Sequence, residues 1–369
     1  MTEWKQYKFS DFVEINPSVK IQKGIPVSFV EMKDLDNSMR YCESSQTKEL
    51  SGGSRFVNGD TLFARITPCL ENGKICQVRN LKNGYGFGST EFHVFRGKDG
   101  VSDTDFVYYL SRWDEVRDFA EHNLEGSSGR QRVSKEAFDN LYLILPPLPT
   151  QRRIASILTS LDDNIDLLHR ENATLEAMAE TMFRQWFVVE AKEEWEEVRL
   201  EDIAILNAGG DKPKNVSPIR TKDLSVPIYS NGIDNEGLYG YTDTAKILVE
   251  SVTISARGTI GFVVLRTEPF VPIVRLITIQ PKDFVTSKFL YFWAKNQNIN
   301  GTGTTQQQLT VPDFKQTKLL LPEKALIDKF TNIANQYYNK ILLNKQQMQS
   351  LIQTRDVLLE KLMNNEIKI

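Results

Sequence analysis

Two polar loops carry the side chains in this chain best suited to reading a flat, polar ligand. "SSGRQRV" offers Arg130, Gln131 and Arg132 after flexible glycine, and "TGTTQQQL" offers Thr304, Thr305, Gln306, Gln307 and Gln308. Guanidinium and carboxamide groups bond guanine or adenine edges bidentately, and they also hold phosphate oxygens. The competing reading is a solvated surface loop. Arg65 in "LFARIT" and Arg257 in "ISARGT" occupy matched surroundings. A residue shared by two places suits phosphate contact better than base discrimination; the alternative is a structural ion pair. "GGDKPKN" sets Lys212 and Lys214 around Pro213, and "ENGK" ends in Lys74. These lysines suit backbone contact or, equally, a free loop.

Motifs that would catalyse a reaction are missing. The sequence contains no G-x-x-x-x-G-K-[ST] phosphate loop. "NPSV" at Asn16 lacks the second proline and the aromatic residue that would hold a flipped adenine. "GYGFG" (Gly84 to Gly88) has no strand–helix context for a dinucleotide, so a turn or bulge is expected. "PDFK" (Pro312 to Lys315) is a nuclease-like fragment with no Glu-x-Lys following, and chance explains it. His93, His122 and His169 are far apart and lack metal-ligand spacing. Cys42, Cys69 and Cys76 form no CxxC pair and read as reduced, partly buried thiols.

The elements that position these loops come in two copies. "WKQYKFSDFVEIN" from Trp4 aligns with "WEEVRLEDIAILN" from Trp195, "FVYYL" with "FLYFW", and "FDNLYLILPP" with "FKQTKLLLPE". Such a period is too long for a solenoid and implies two similar globular domains. Within each copy, β-branched runs broken by Gly, Asn and Pro predict short strands: "IPVSFVEM", "TLFARIT" and "KICQV", then "ILVESVTISARGTIGFVVL" and "PIVRLITIQ". One amphipathic helix is expected late in each copy. Ser102 or Asp103 would cap the first, running through His122, and Thr286 or Ser287 the second, through about Ile299. The expected class is α+β with a mostly β core.

After each copy the apolar period changes to alternate spacings of four and three. Ile154, Leu158, Leu161, Ile165, Leu168, Leu175 and Met182 form one seam, interrupted by Asn172. Phe330, Tyr337, Ile341, Met348, Leu351, Leu358 and Leu362 form the other, with Arg355 as an imperfection. A lone helix with such a stripe would expose it to water, so the two helices are expected to pack antiparallel as a coiled coil. A helix from Thr150 to Phe187 would span ~55–60 Å, longer than the ~34 Å turn of B-DNA. The expected division is recognition domains at 1–149 and 191–322, and long helices at 150–190 and 323–369. Residues 151–194 carry 5 Lys/Arg against 9 Asp/Glu, so this segment does not lie along phosphates. Its Asp162, Asp163, Asp166 and Glu171 face either a basic protein partner or solvent.

Bulk properties are those of a globular protein: 369 residues, 40% hydrophobic and 25% charged. A net charge of −3 excludes indiscriminate binding to a polyanion, so any nucleic-acid contact must use local patches. No apolar run approaches the ~18 residues that cross a bilayer, and the first residues lack a signal-peptide core. A cytoplasmic location is expected.

"LILPPLPTQRRIASILTSLDDNIDLLHRENATLEAMAETMFRQWFV" resembles the central region of Type I restriction–modification specificity subunits. The resemblance rests on Pro146, Pro147, Leu148, Gln151, Ile154, Leu161, Asp162, Ile165, Leu175, Glu176, Met182, Phe183, Trp186 and Phe187, and on "SARGTIG" and "GTGTTQQQL" in the second copy. It weakens at "PEKALIDKF", where the family repeats its Pro-Pro-Leu motif. The resemblance implies two target-recognition domains, each reading half of a bipartite, asymmetric DNA sequence. It also implies an antiparallel helix pair that sets the gap and docks two modification subunits, which methylate adenine N6 with S-adenosylmethionine. Two restriction subunits, where present, would add ATP- and Mg-dependent translocation and cleavage. The chain itself would bind no cofactor and no metal and would catalyse nothing. The rival readings are a self-contained methyltransferase or nuclease with a duplicated recognition region, and a coiled-coil scaffold.

Overall fold

A computed structural model describes residues 3–22, 24–127, 129–299 and 308–369. The chain divides into two compact units, Met1–Glu171 with Leu343–Ile369, and Asn172–Leu342.

The first unit holds a sheet ordered Val13–Ile15, Phe92–Gly97, Thr61–Ala64, Ile75–Val78, Tyr41–Cys42. A second sheet runs Gln46–Glu49, Pro26–Val30, Tyr85–Gly88, Ser54–Val57, in which Pro26–Val30 and Tyr85–Gly88 are parallel. In the second unit the order recurs as Ala204–Ala208, Ile277–Pro281, Ser251–Ile254, Val263–Arg266. Its other sheet is Leu238–Thr242, Val226–Tyr229, Val271–Pro272, and here too the last two strands are parallel. Each unit also closes a two-stranded antiparallel ribbon, Lys5–Lys8 with Tyr142–Leu145 and Glu196–Arg199 with Lys318–Leu321. The duplication read from scattered motifs is therefore a duplication of strand order and polarity, and the class is α+β.

Three local expectations change. The helix expected through His122 is two helices, Thr104–Arg112 and Asp114–His122, separated by Trp113 in an extended conformation. Asp103 caps the first by accepting from the Asp105 and Phe106 amides at 3.1 Å. Breaking at Trp113 lets its ring, Val116 and Ala120 all enter the core, which one straight helix would not allow. The second copy's helix runs only Ser287–Lys295, capped by Thr286. It stops at Asn296, whose carboxamide donates back to the Phe292 carbonyl. "GYGFG" is a strand, Tyr85–Gly88, rather than a turn. A Cβ on Gly88 would lie 2.5 Å from the Val30 carbonyl oxygen, so the glycines serve close strand approach. "PDFK" is part of a short helix, Val311–Lys315, capped by Thr310.

The long helices run Leu148–Arg184 and Lys324–Met363, and a π-helical turn, Gln185–Val189, follows the first. In the first unit Ile154, Ala155 and Leu158 share a core with Leu359, Leu362 and Met363, while Ile165 and Leu168 pack with Met348. Numbers rise on one helix as they fall on the other, so the two segments are antiparallel. Leu161, Leu351 and Leu358 are half-buried beside them. In the second unit Ala179, Phe183 and Phe187 share a core with Ile327, Phe330 and Ala334. Leu175, Met182 and Tyr337 are half-buried there, and Ile341 is buried.

The four acidic side chains of the first long helix that lie in the first unit, Asp162, Asp163, Asp166 and Glu171, have partners inside it. Asp162 and Asp166 are buried: Asp162 pairs with Arg355 at 2.8 Å and accepts from the Tyr109 hydroxyl at 2.7 Å, and Asp166 takes a bidentate pair from Arg79. Glu171 accepts from Asn344 at 2.9 Å. Asp163 alone of the four is exposed, and it accepts from Tyr41. The expectation that this acidic face is turned to a partner or to water is thus corrected for three of its members. Asp162 and Glu171 each serve a buried neighbour, Arg355 and Asn344, whose polar groups need partners away from water.

Candidate nucleic-acid interface

In the first unit the loop after Glu125 folds back onto the segment following the strand Thr61–Ala64. Leu124–Glu125 pairs with Arg132–Val133, and Arg132 also bridges to Ile66. The Gln131 carbonyl accepts from the Thr67 amide at 3.0 Å, the Gln131 amide donates to the Thr67 hydroxyl, and the Val133 amide donates to the Arg65 carbonyl. Arg65, Arg130, Gln131 and Arg132, distant in sequence, are brought together at one place.

The group that organises them is Glu91. Arg132 donates to both its oxygens at 2.7 and 2.9 Å, and the Arg65 Nε lies 3.4 Å away. The Arg132 hydrogen bond lowers the Glu91 carboxyl below its usual pKa against the opposing effect of burial, with further help from the charges of Arg132 and Arg65. Arg130 is exposed and Gln131 half-buried. Behind them His93 is buried, with Nε2 2.9 Å from the Val133 carbonyl. Burial pushes its pKa down to about 4, so the ring is neutral at physiological pH. Lys74 does not join this group; its ammonium donates to the Met32 carbonyl at 3.0 Å.

The second unit repeats the frame with different chemistry. The Leu309 amide donates to the Ala256 carbonyl, and the exposed Arg257 donates to the Gln308 carboxamide oxygen at 3.1 and 3.3 Å. Matched positions, Arg132 and Gln308, thus meet the matched arginines, one through a carboxylate and the other directly. Thr304, Thr305, Gln306 and Gln307 lie outside the described residues. Lys212 and Lys214 are exposed, and the Lys212 ammonium donates to the Tyr239 hydroxyl at 3.2 Å.

Two residues at this interface escaped the sequence reading, Glu91 and Arg275. Glu91 precedes an apolar strand and has no local signal, because its partners lie 26 and 41 positions away. Arg275 sits within "VPIVRLITIQ", where an arginine amid apolar residues signals that the run is not one strand. Indeed it breaks into Val271–Pro272 and Ile277–Pro281. Arg275, Arg257 and Gln308 line one surface depression.

Among the described residues no three His, Cys, Asp or Glu side chains gather as a metal would require, and no helix is long and apolar enough to cross a membrane.

A family model described as "Type I restriction modification DNA specificity domain" matches residues 1–177 and again 192–353. The specificity subunit of the type I restriction enzyme HindI from Haemophilus influenzae is 24% identical, with all of both chains covered. A putative type I specificity subunit of Mycoplasma pneumoniae is 26% identical over 94% of this chain and 95% of its own. Among solved structures, the S subunit of a type I restriction–modification system from M. genitalium shares the fold with a TM-score of 0.53 at 15% identity, covering 98% of this chain and 96% of that one. Two matches to one DNA-specificity domain, laid over two units of the same strand order, place this chain in the family of type I restriction–modification specificity subunits.

Proposed function

We propose that the chain is the non-catalytic DNA-reading subunit of a type I restriction–modification complex in the cytoplasm. The domains at 1–149 and 191–322 each read one half of a bipartite, asymmetric target. The helices at 150–190 and 323–369 set the gap between the halves. Two modification subunits, carrying S-adenosylmethionine, are directed to adenine N6 within the target. Two restriction subunits, where the cell has them, add ATP, Mg and cleavage. The residues proposed to meet DNA are Arg65, Arg130, Gln131 and Arg132 in the first domain. In the second they are Lys212, Lys214, Arg257 and the loop Thr304–Gln308. Lys74 is retained only as a minor backbone contact, since its ammonium is held by the Met32 carbonyl.

One observation carries this reading. The two units share a strand order, yet at the matched loop one presents Arg-Gln-Arg and the other Gln-Gln-Gln. A common frame with different donors is what two half-sites of different sequence require, because base edges are told apart by their donor and acceptor patterns.

The test is coexpression with the modification subunit, followed by genome-wide mapping of N6-methyladenine. Methylation at one bipartite motif that vanishes when this chain is removed is the expected result. A stable complex that marks no motif would favour the scaffold reading. Methylation of DNA by the purified chain unaided would establish the enzyme reading instead.

A further inference from the structure

We propose that Arg275 is a base-reading residue of the second recognition domain, presented by a strained two-residue turn and backed by Arg257 on phosphate. The inference rests on the DNA-reading function proposed above and adds a residue that distinguishes one half-site from the other.

The turn itself is unusual. Val274 and Arg275 both adopt the left-handed conformation, with φ of 53° and 65°. For a β-branched valine this is a true outlier, and such outliers persist only where surrounding structure forces them. Here the forcing groups are visible. The Val274 amide donates to the Gly210 carbonyl and the Arg275 amide to the Gly209 carbonyl, at 2.9 and 3.0 Å. Asn231 donates from Nδ2 to the Val274 carbonyl at 2.6 Å, while its Oδ1 accepts from the Ala256 amide at 2.7 Å. One carboxamide thus ties the Arg275 turn to the segment bearing Arg257. Gly209 cannot be larger, since a Cβ there would lie 2.8 Å from the Ile273 nitrogen.

The turn does not bury its own side chains, because both are exposed. What it does is hold Arg275 at the depression that Arg257 and Gln308 also line. Among the described residues no carboxylate forms an ion pair with Arg257, Arg275, Lys212, Lys214 or Lys246, and Lys246 approaches the same loop, its ammonium 3.6 Å from where a Cβ on Gly210 would stand. The first domain differs at the corresponding place. The head of its strand Phe92–Gly97 bears Glu91, which holds Arg65 and Arg132. Arg257 has a counterpart in Arg65 and suits the phosphate that both half-sites possess. Arg275 has no cationic counterpart, so it suits a contact that only one half-site offers, and a guanidinium on guanine O6 and N7 is the common form of that contact.

The test uses the intact complex with the modification subunit and duplexes carrying its methylated motif, substituted one position at a time in each half. Arg275→Ala should weaken binding of the cognate duplex about 5- to 150-fold. It should flatten the preference at one or two positions of one half only. Arg275→Lys keeps the charge but loses the planar fork, and should flatten the same positions while binding unrelated duplex as the wild type does. Assembly of both variants with the modification subunit, read by size-exclusion chromatography, reports folding. Uniform weakening on every duplex, with the motif intact, would make Arg275 a phosphate contact and overturn the inference while leaving the DNA-reading function standing. Full retention of both half-sites would do the same. A wild-type complex with no bipartite motif would overturn the function and the inference together.

Discussion

Asp162 and Arg355 meet at 2.8 Å with both side chains only 1% exposed, one from each of the two long helices of the first unit. Arg355 stands at a seam position where an apolar residue is expected, and Asp162 one place beyond Leu161 on the facing helix. Burial opposes the charge of Arg355, but the Asp162 carboxylate, helped by Tyr108 and Asp356, outweighs it and raises the guanidinium pKa. The same carboxylate accepts from Tyr109 of the globular core, and Arg40 donates to that hydroxyl while pairing with Asp105. The pair therefore joins the helices to the domain, and it specifies one register because a slip of either helix would strand two charges.

Removing one member should be costly. Arg355→Met leaves Asp162 buried without its cation and should lower stability by about 3–5 kcal/mol. Asp162→Asn with Arg355→Met keeps an acceptor for Tyr109 and buries no charge, so it should recover much of that loss. Urea unfolding of the single and double variants gives the coupling energy. A double-variant loss equal to the sum of the Arg355→Met and Asp162→Asn losses would show that the two side chains do not depend on each other.

Acid should loosen the first domain through His93. Its folded pKa of about 4 lies below the ordinary 6.5, so the folded state binds its proton more weakly than the unfolded one. The sign follows: the contribution is complete above pH ~6.5 and is lost progressively toward pH ~4, amounting to up to about 3 kcal/mol. Arg65 adds to the shift, and Glu136 and Glu91 oppose it. Melting temperature measured from pH 7 to pH 4.5 should fall, and His93→Gln should flatten that slope. A slope unchanged by the substitution would locate the acid sensitivity elsewhere.

Glu91→Gln should release Arg65 and Arg132 from their shared carboxylate. With one negative charge gone and two arginines available, DNA affinity of the complex should depend more steeply on salt, by about one to two in the log–log slope. Titrations between 50 and 200 mM salt would measure it. An unchanged slope would mean that neither arginine reaches a phosphate.

Deleting seven residues from each long helix should shorten the gap between the half-sites and leave the half-sites themselves unaltered. Mapping N6-methyladenine for the shortened chain reads both quantities in one experiment. A gap that stays fixed while methylation persists would remove the helices from gap setting. Exchanging Gln306–Gln308 for the residues of another specificity subunit should, in contrast, change one half-site and keep the gap.

Much of the architecture was legible in the residues because it is periodic or local. Two copies of a Trp-led motif and two four–three seams announced two units and two long helices, since amphipathic spacing has few packing solutions. Caps such as Asp103 and Thr286 act on amides two or three residues away, and they were readable for that reason. The matched loops around Arg132 and Gln308 could likewise be found by aligning the chain with itself. What remained illegible depends on partners distant in sequence. Asp162 on a helix of acidic character reads as solvated until Arg355, 193 residues on, is folded against it. Glu91 reads as the start of a strand until Arg65 and Arg132 converge on it. Arg275 is part of an apolar run until hydrogen bonds to the Gly209 and Gly210 carbonyls, and one from the Asn231 carboxamide, force a left-handed turn. Pattern alone specifies which face of an element is buried, because burying apolar area is non-directional and additive. Ion pairs and strained turns are directional and made by two or three particular groups, so only the tertiary structure could decide them.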